Sequence, residues 1–269
     1  TLKAWIVSLK CLLAAFAMQS ADLPSRGICA HRGASATHPE NTLPAFKEAA
    51  RLGAHMIEFD VWLTRDGHPI VMHDATVNRT TDGQGRIASL TLAEIKQLDA
   101  GTKKSPKYKG QKVPTLAEAL DVMPERVWLN IHVKEGAACS RAVAIVLKEK
   151  ARVGQAFMAC SIEAAKAARE ILPTVKLCCM DRQYGQMHKY VETAIAAKAD
   201  FIQLVGTIPP NFPELISRLK ANNICINYFG IEDPAGLRNL FHAGVDFPLV
   251  DDTAAGLDVA QEFGIKPVP

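Results

Sequence analysis

Strand and helix patterns alternate regularly through the second half of the chain. Six short apolar, β-prone runs lie at 127–133, 156–160, 175–180, 200–205, 224–229 and 245–250. Segments with the apolar spacing of amphipathic helices separate them, and this alternation is typical of a parallel sheet covered by helices. An open, doubly wound sheet is the alternative. No glycine-rich phosphate loop follows any of the runs, which favours a closed barrel.

Three more strands are predicted in the first half, at 27–31, 54–62 and 69–74. Together with the six later runs they give nine candidates, one more than an eight-stranded barrel needs. The link at 63–68 is too short for a crossover helix, so if both flanking strands are parallel it must run back extended. No strand pattern follows until residue 113. We therefore predict a TIM-type (β/α)8 barrel over 26–267, with a small insertion at 74–113 after the third strand.

The composition is that of an ordinary globular protein. The chain has 269 residues, of which 48% are hydrophobic and 22% charged, enough for one large core. Its net charge of +3 argues against a broad nucleic-acid-binding surface. One cluster of basic residues is formed by Lys103, Lys104, Lys107, Lys109 and Lys112. It is either a solvated loop or a patch that attracts anionic substrates or membrane headgroups.

Residues 1 to 21 have features of a secretory signal. Lys3 precedes two apolar runs that Lys10 separates, and Ala15-Phe16-Ala17 has the small-x-small pattern of a cleavage site. We expect an exported protein, periplasmic or secreted. The alternatives are an uncleaved anchor, with membrane association only if the segment is retained, and an amphipathic helix of a cytoplasmic protein.

Two acidic residues interrupt the apolar run at 56–61. Glu58 and Asp60 are two positions apart, so on a strand they point to the same side. Carboxylates held together on a buried strand repel each other and lose hydration, and a divalent metal ion relieves both effects. Alternatively, the strand lies at a sheet edge and both acids face water.

Several strands become polar at the same end. The residues concerned are His31, Glu58, Asp60, His73, His132 and Lys134. A single histidine on an apolar strand is usually a core residue, but the C-terminal ends of barrel strands carry the active site. Strand parity supports this view, since Phe59 would point outward to the helices while Glu58 and Asp60 point inward.

This set of side chains suits attack at phosphorus. A metal held by the two carboxylates would act as a Lewis acid on phosphate oxygens. Arg32 and Lys134 would add fixed positive charge. His31 and His73 would divide the proton transfers, one accepting a proton from the nucleophile and the other donating one to the leaving alkoxide.

The motifs that carry these residues resemble the glycerophosphodiester phosphodiesterase family from about residue 27 to 255. They are His31-Arg32-Gly33, Pro39-Glu40-Asn41-Thr42, Glu58-Phe59-Asp60-Val61, Val71-x-His73-Asp74, Arg79-Thr80-Thr81, Asn130-Ile131-x-Val133-Lys134, Gly244-Val245-Asp246 and Asp251-Asp252. The resemblance implies a TIM-type barrel and a Ca²⁺- or Mg²⁺-dependent hydrolysis that releases an alcohol and glycerol 3-phosphate. It implies an acid–base pair of His31 and His73, metal ligands at Glu58 and Asp60, phosphate contacts from Arg32 and Lys134, and a supporting Glu40.

Two positions depart from the family pattern. His132 stands where the family usually has its third metal ligand, a glutamate, and an imidazole favours Mn²⁺, Zn²⁺ or Fe²⁺ over Ca²⁺ or Mg²⁺. Asn227-Tyr228-Phe229-Gly230 replaces a tryptophan-containing stretch. We expect Gln203, Tyr228 and Phe229, which end late strands, to shape the pocket for the alcohol.

Three functions are compatible with the sequence. The first is a metal-dependent phosphodiesterase acting on a small glycerophosphodiester. The second is a phospholipase D-like enzyme acting on lysolipids, and the third is a phosphate-binding barrel with little or no catalysis. The first two leave open whether water attacks phosphorus directly or the adjacent glycerol hydroxyl attacks first and gives a cyclic phosphate.

Overall fold

The structure, a computed structural model, describes residues 23–183 and 185–269. These residues form nine strands: β1 Cys29–His31, β2 Met56–Leu63, β3 Pro69–Val71, β4 Trp128–Val133, β5 Ala156–Cys160, β6 Lys176–Cys179, β7 Phe201–Val205, β8 Cys225–Phe229 and β9 Phe247–Val250. Eight of them are parallel, and β1 pairs with both β9 and β2, which closes the barrel. The predicted fold class is therefore confirmed.

The remaining strand, β3, lies outside the barrel. It pairs antiparallel with the end of β2, so that Val61 faces Val71 and Leu63 faces Pro69. The amide of Thr64 donates to the carbonyl of His68, and Gly67 has the positive φ of 81° that glycine tolerates best. The link between the two strands is thus a hairpin turn, and the alternative of two parallel strands joined by an extended link is wrong.

Nine helices accompany the strands in the described part of the chain. They are α1 Leu43–Leu52, α2 Leu92–Ile95, α3 Leu116–Val122, α4 Ala137–Glu149, α5 Ile162–Arg169, α6 Met187–Ala196, α7 Phe212–Ala221, α8 Pro234–Ala243 and α9 Thr253–Glu262. The last of these was not predicted. Its N-terminus is capped by Asp252, whose carboxylate accepts a hydrogen bond from the amide of Ala255.

Side chains on the two faces of each barrel strand meet different surroundings. Outward-facing residues pack on the helices, as Phe59 does on Phe46 of α1, with ring centroids 5.5 Å apart. Inward-facing residues fill the lower barrel, where Phe157 stacks on Phe201 at 3.9 Å. Since the apolar filling occupies the lower part, the C-terminal ends of the strands are left for polar side chains.

The segment from β3 to α3 carries a small apolar cluster of its own. Its buried members are Ile70, Met72, Val77, Ile87, Ile95, Ala100 and Val113. Within it, α2 begins with a capping box, in which Thr91 and Glu94 each bond the backbone amide of the other. This packing gives the segment between β3 and α3 a fixed position beside the barrel mouth.

The predicted signal segment, residues 1 to 21, lies outside the described residues. Among the residues that the structure describes, no helix has both the length and the apolar character needed to cross a membrane.

Candidate active site

The acidic pair of β2 lies at the C-terminal end of the barrel with its side chains pointing inward. Glu58 and Asp60 are 3% and 1% exposed, and β2 is bonded to β1 on one side and β4 on the other. The alternative of an edge strand with solvated acids is therefore wrong. His132 of β4 lies directly opposite Asp60, with its Nδ1 3.2 Å from Asp60 Oδ1 and 3.9 Å from Glu58 Oε1.

These three residues form a candidate metal centre. Each offers one ligand atom, and the three atoms lie within 4.8 Å of one another. Burial, and then the neighbouring Asp60, raise the pKa of Glu58. Burial lowers the pKa of His132, which keeps its imidazole neutral and able to ligate. Two carboxylates and an imidazole are a suitable donor set for a divalent cation.

Asp60 is held from several sides. Burial alone would raise its pKa, but the hydrogen bond from His132 and the positive charge of Lys134 outweigh burial and lower it. The Lys134 ammonium lies 2.9 Å from Asp60 Oδ1. The Asn41 side chain donates to Asp60 Oδ2 at 2.9 Å and accepts from the Asp60 amide at 3.2 Å. In the sequence, Asn41 is part of a family-like motif with no predicted role of its own in the site, and in the structure it orients a candidate ligand.

Arg32 sits at the tight turn that follows β1. Its φ of 57° is left-handed, and a Cβ on the next residue, Gly33, would lie 2.7 Å from the backbone of Ala45. This turn lets the Arg32 amide donate to Glu58 Oε2 at 3.1 Å, while its Nη1 donates to Glu40 at 2.9 Å. Among the described residues, Arg32 Nε is buried and has no hydrogen-bond partner. Its nearest ion-pair contact is Asp60 Oδ2 at 3.5 Å, so a ligand oxygen could accept its proton.

His31, at the end of β1, is oriented by a residue from the far end of the chain. Its Nδ1 lies 2.7 Å from Asp251 Oδ1, and Ser35 donates to the same oxygen at 3.0 Å. Because the carboxylate accepts, Nδ1 carries a proton and the Nε2, 4.0 Å from Glu58, is the atom available for chemistry. Burial acts to lower the pKa of His31, but the hydrogen bond to Asp251 raises it overall.

His73 follows β3 and is oriented by its immediate neighbour. Its Nδ1 lies 2.6 Å from Asp74 Oδ1. Arg79 donates to both oxygens of Asp74, at 2.7 and 3.0 Å, and to both oxygens of Glu40, at 2.7 Å each. The hydrogen bond from Arg79 lowers the pKa of Asp74 to about 2. Arg79 thus links the carboxylate that orients His73 to the carboxylate that holds Arg32.

Comparison with known proteins decides what this site belongs to. A model of the Glycerophosphoryl diester phosphodiesterase family matches residues 31–255. A glycerophosphodiester phosphodiesterase of Caldanaerobacter subterraneus subsp. tengcongensis is 32% identical over 246 residues, which are 88% of this chain and 98% of that protein. The chain belongs to the glycerophosphoryl diester phosphodiesterase family.

Structural comparison agrees with this assignment. An Oleispira antarctica phosphodiesterase, solved with the product sn-glycerol-3-phosphate, superposes with a TM-score of 0.78 at 27% identity. The match covers 87% of this chain and 96% of that one. A glycerophosphodiester phosphodiesterase of Agrobacterium tumefaciens matches with a TM-score of 0.73 at 28% identity, covering 86% of this chain and 99% of that one. The lysolipid and non-catalytic alternatives gain no support from these relatives.

Two of the three residues predicted for the alcohol pocket face the barrel interior. Gln203 is buried on β7, and the Phe229 ring lies 4.6 Å from the His31 ring. Tyr228 is on the opposite face of β8, so its assignment to the pocket is wrong. It is fully buried against Phe212 of α7, and its hydroxyl donates to the Gly206 carbonyl at 2.6 Å. Alternation along β8 explains the error, because neighbouring residues of a strand face opposite sides.

A larger cavity, of about 580 Å³, lies beside the loops after β6 and β7. Its lining includes Tyr190 and Leu204. Both belong to the core between the barrel and its helices. Part of the cavity therefore lies on the outer side of these strands. Its lining also includes Arg182, whose positive charge acts, after burial, to lower the pKa of His132.

Proposed function

We propose that the protein hydrolyses glycerophosphodiesters to an alcohol and glycerol 3-phosphate with the help of a bound divalent metal. The observation that carries the proposal is the pairing of two oriented histidines with one buried acidic centre. His31 and His73 each bond a carboxylate through Nδ1, which leaves both Nε2 atoms for proton transfer. The arrangement matches a reaction that needs one proton acceptor and one proton donor.

The proton and charge assignments follow from the contacts. One histidine takes a proton from the attacking oxygen, which belongs either to water or to the adjacent glycerol hydroxyl. The other histidine gives a proton to the leaving alkoxide, so the two exchange protonation states in this step. Arg32 supplies its Nε, which forms no hydrogen bond and lies 3.5 Å from Asp60 Oδ2, to a phosphate oxygen. Lys134, which bonds Asp60 in this structure, adds positive charge beside the same oxygens. Glu40 keeps the Arg32 guanidinium in place through its 2.9 Å contact.

Glu58, Asp60 and His132 would hold the metal, which when bound acts as a Lewis acid toward phosphate oxygens. The family pattern has three carboxylates at this centre. Because His132 replaces one of them, the centre of this chain has one negative charge fewer. Nitrogen ligation suits Mn²⁺, Zn²⁺ or Fe²⁺ better than Ca²⁺ or Mg²⁺. We infer that this chain prefers one of the former ions.

Calorimetric titration of the metal-stripped protein tests the metal preference without relying on activity. Tighter binding of Mn²⁺ or Zn²⁺ than of Mg²⁺ and Ca²⁺ is expected, and His132→Glu should narrow that difference by restoring a third carboxylate. An unchanged order of affinities in His132→Glu would contradict a ligand role for His132.

The activity itself is tested by glycerol 3-phosphate release from glycerophosphocholine and glycerophosphoethanolamine. The stripped protein should be inactive and should regain turnover when a divalent ion is added. His73→Ala should abolish turnover, whereas His68→Ala, a matched change on the exposed hairpin turn, should not. Absence of turnover with Mg²⁺, Ca²⁺, Mn²⁺ and Zn²⁺ alike would refute the proposed function.

We further infer export from the apolar pattern of residues 4–18, which Lys3 precedes. N-terminal sequencing of the mature protein tests this inference. A mature chain beginning after Ala17 is the expected result, and a mature chain that retains residues 1–17 would contradict cleavage.

A further inference from the structure

A second polar cavity, of about 170 Å³, lies between the lysine-rich loop and the loop that joins β1 to α1. Three cationic side chains line it, those of Arg79, Lys103 and Lys104. Glu40 is the one carboxylate in the lining, and it accepts hydrogen bonds from both Arg32 and Arg79. Glu40 and Asp74 together balance Arg32 and Arg79, so the excess positive charge of the cavity comes from Lys103 and Lys104.

Both lysines are directed toward the cavity by backbone contacts. The Lys104 ammonium donates to the Ser35 carbonyl at 2.7 Å, and the Lys103 ammonium donates to the Asn78 carbonyl. An ammonium has three donors, so each lysine retains donors for a ligand after this contact. A carbonyl carries no net charge, and the two positive charges are left without a carboxylate partner of their own among the described residues.

The loop that presents these lysines has a defined conformation. The Asp99 carboxylate accepts from the amides of Gly101, Thr102 and Gly110. The Tyr108 hydroxyl donates to the Thr37 carbonyl at 2.9 Å, which ties the loop to the β1–α1 connection. Gly101 cannot be replaced without rearrangement, since a Cβ there would lie 1.9 Å from the Tyr108 carbonyl oxygen. The two lysines are exposed, and they extend from a backbone that these contacts hold in place.

The cavity shares part of its wall with a cleft at the candidate active site. Glu40, Thr80 and Ala100 line both this cavity and a narrow cleft that reaches His73 and Asn41. A group bound between the lysines would therefore lie beside Glu40, which also bonds Arg32, the predicted phosphate contact.

We propose that the lysine-lined cavity binds a second phosphate group of the substrate, carried on the leaving alcohol. The proposal rests on the proposed function. The second phosphate is assigned to the leaving alcohol because glycerol 3-phosphate, the common product, has no further anionic substituent on its glycerol. A phosphate monoester has three strong acceptor oxygens and nearly two negative charges. Those oxygens match the ammonium donors of Lys103 and Lys104. The preferred substrates are then glycerophosphodiesters whose alcohol is itself phosphorylated.

A matched pair of substrates tests this inference. Glycerophosphoglycerol and its terminal phosphate ester differ only in the second phosphate. The wild type should have the higher kcat/KM for the phosphorylated member. K103Q/K104Q should lower that kcat/KM roughly 10- to 100-fold, the effect of losing charge-assisted hydrogen bonds. The same variant should change kcat/KM for glycerophosphoglycerol less than about twofold.

K109Q/K112Q is the control for long-range electrostatics. It removes two positive charges from the same loop, and Lys112 also bonds a carbonyl, that of Gln97. Neither residue lines the cavity. The control pair should leave the preference for the phosphorylated substrate in place. An equal loss of kcat/KM for the phosphorylated substrate in both double variants would show that the loop only steers anions by long-range electrostatics. An equal loss of kcat/KM on both substrates in K103Q/K104Q would show that the two lysines have only a structural role.

Two further measurements distinguish the subsite from a loss of turnover and from a membrane contact. Titration calorimetry measures the affinity of the wild type and of K103Q/K104Q for both diesters, and this affinity is measurable even if neither diester is turned over. Absence of turnover would then refute the proposed function without deciding the subsite. Sedimentation with vesicles of phosphatidylglycerol tests the alternative of a membrane contact. Vesicle binding that depends on Lys103 and Lys104, with no difference in affinity between the two diesters, would overturn the subsite.

Discussion

The two histidines of the site do similar work from different parts of the fold. His31 ends a barrel strand, its side chain is 11% exposed, and its orienting carboxylate, Asp251, lies 220 positions later in the chain. His73 follows the hairpin strand outside the barrel, its side chain is 34% exposed, and its partner is the next residue, Asp74. The position of His31 depends on barrel closure, and the position of His73 depends on a local turn.

This difference explains how each imidazole is kept in place. The pairing of β1 with β9 brings Asp251 to His31, so the whole barrel determines that contact. Asp74 is positioned by Arg79, whose guanidinium also holds Glu40. A change that weakens barrel closure should therefore displace His31 more than His73. A change near Arg79 should displace both His73 and Arg32, because Arg79 bonds Asp74 and Glu40.

The largest expected effect comes from removing either imidazole. His31→Gln and His73→Gln should each lower kcat by about 10²- to 10⁴-fold, the usual contribution of a positioned acid or base. Because the two act in one reaction, the double variant should be only slightly worse than the poorer single variant. Steady-state kinetics with saturating metal measures this, with His68→Gln as control. Wild-type kcat in either single variant would remove that histidine from the reaction.

The next effect compares the two orienting carboxylates. Asp74→Asn and Asp251→Asn should each lower kcat by about 10- to 100-fold, as loss of an orienting partner does. Asp74→Asn should be the more harmful, since it also frees one side of Arg79. In a double-mutant cycle, Asp74→Asn and Arg79→Gln should cost less together than the sum of their separate effects. Strict additivity would show that Arg79 does not act through Asp74.

Local pattern was enough to predict much of this architecture. Periodicity indicated the barrel strands, and parity along β2 correctly turned Phe59 outward and the two acids inward. Parity along β8 should also have excluded Tyr228, which faces the helices. The antiparallel direction of β3 was not predicted, although Asp66-Gly67 between two apolar runs is a hairpin signal that the sequence carries.

Contacts between distant residues were beyond the reach of pattern. Nothing near Asp251 in the sequence indicates His31, because the contact arises only when the last strand closes the barrel. Arg79 is separated from Glu40 by 39 positions. Asn41 is a further case, since its residue type is equally suited to a helix cap. Only the folded chain shows that it bonds Asp60 from both sides.

The acidic centre should make the stability of the metal-free protein depend on pH. Burial raises the pKa of Glu58 above its unfolded value, so the folded state holds the proton more tightly. That contribution is complete below about pH 4 and is lost as the pH rises to about 7, the pKa of Glu58 in the folded protein. The melting temperature of the metal-free protein should fall by about 2–4 °C over this range. Added metal should reduce the fall.

Glu58→Gln isolates this carboxyl from His31, whose pKa is raised, against the effect of burial, by the hydrogen bond to Asp251, and from His132, whose pKa burial lowers. The variant should have a flatter melting profile than the metal-free wild type. Metal binding to the wild type should also release a proton and become tighter as the pH rises. An identical pH profile for the variant and the wild type would show that Glu58 is ionised throughout, contrary to its burial beside Asp60.

The smallest expected effect is the loss, at low pH, of the stability that Asp74 contributes beside His73. The hydrogen bond from Arg79 lowers the pKa of Asp74 to about 2, below its unfolded value near 3.9. Its contribution to stability is therefore present above about pH 4 and is lost as the pH falls toward 2. Because these groups are partly exposed, the contribution is below about 1 kcal/mol. Asp74→Asn should melt about 2 °C below the wild type at pH 6, and the gap should close near pH 2. A gap that stays constant with pH would mean that Asp74 stabilises the turn through packing and not through its charge.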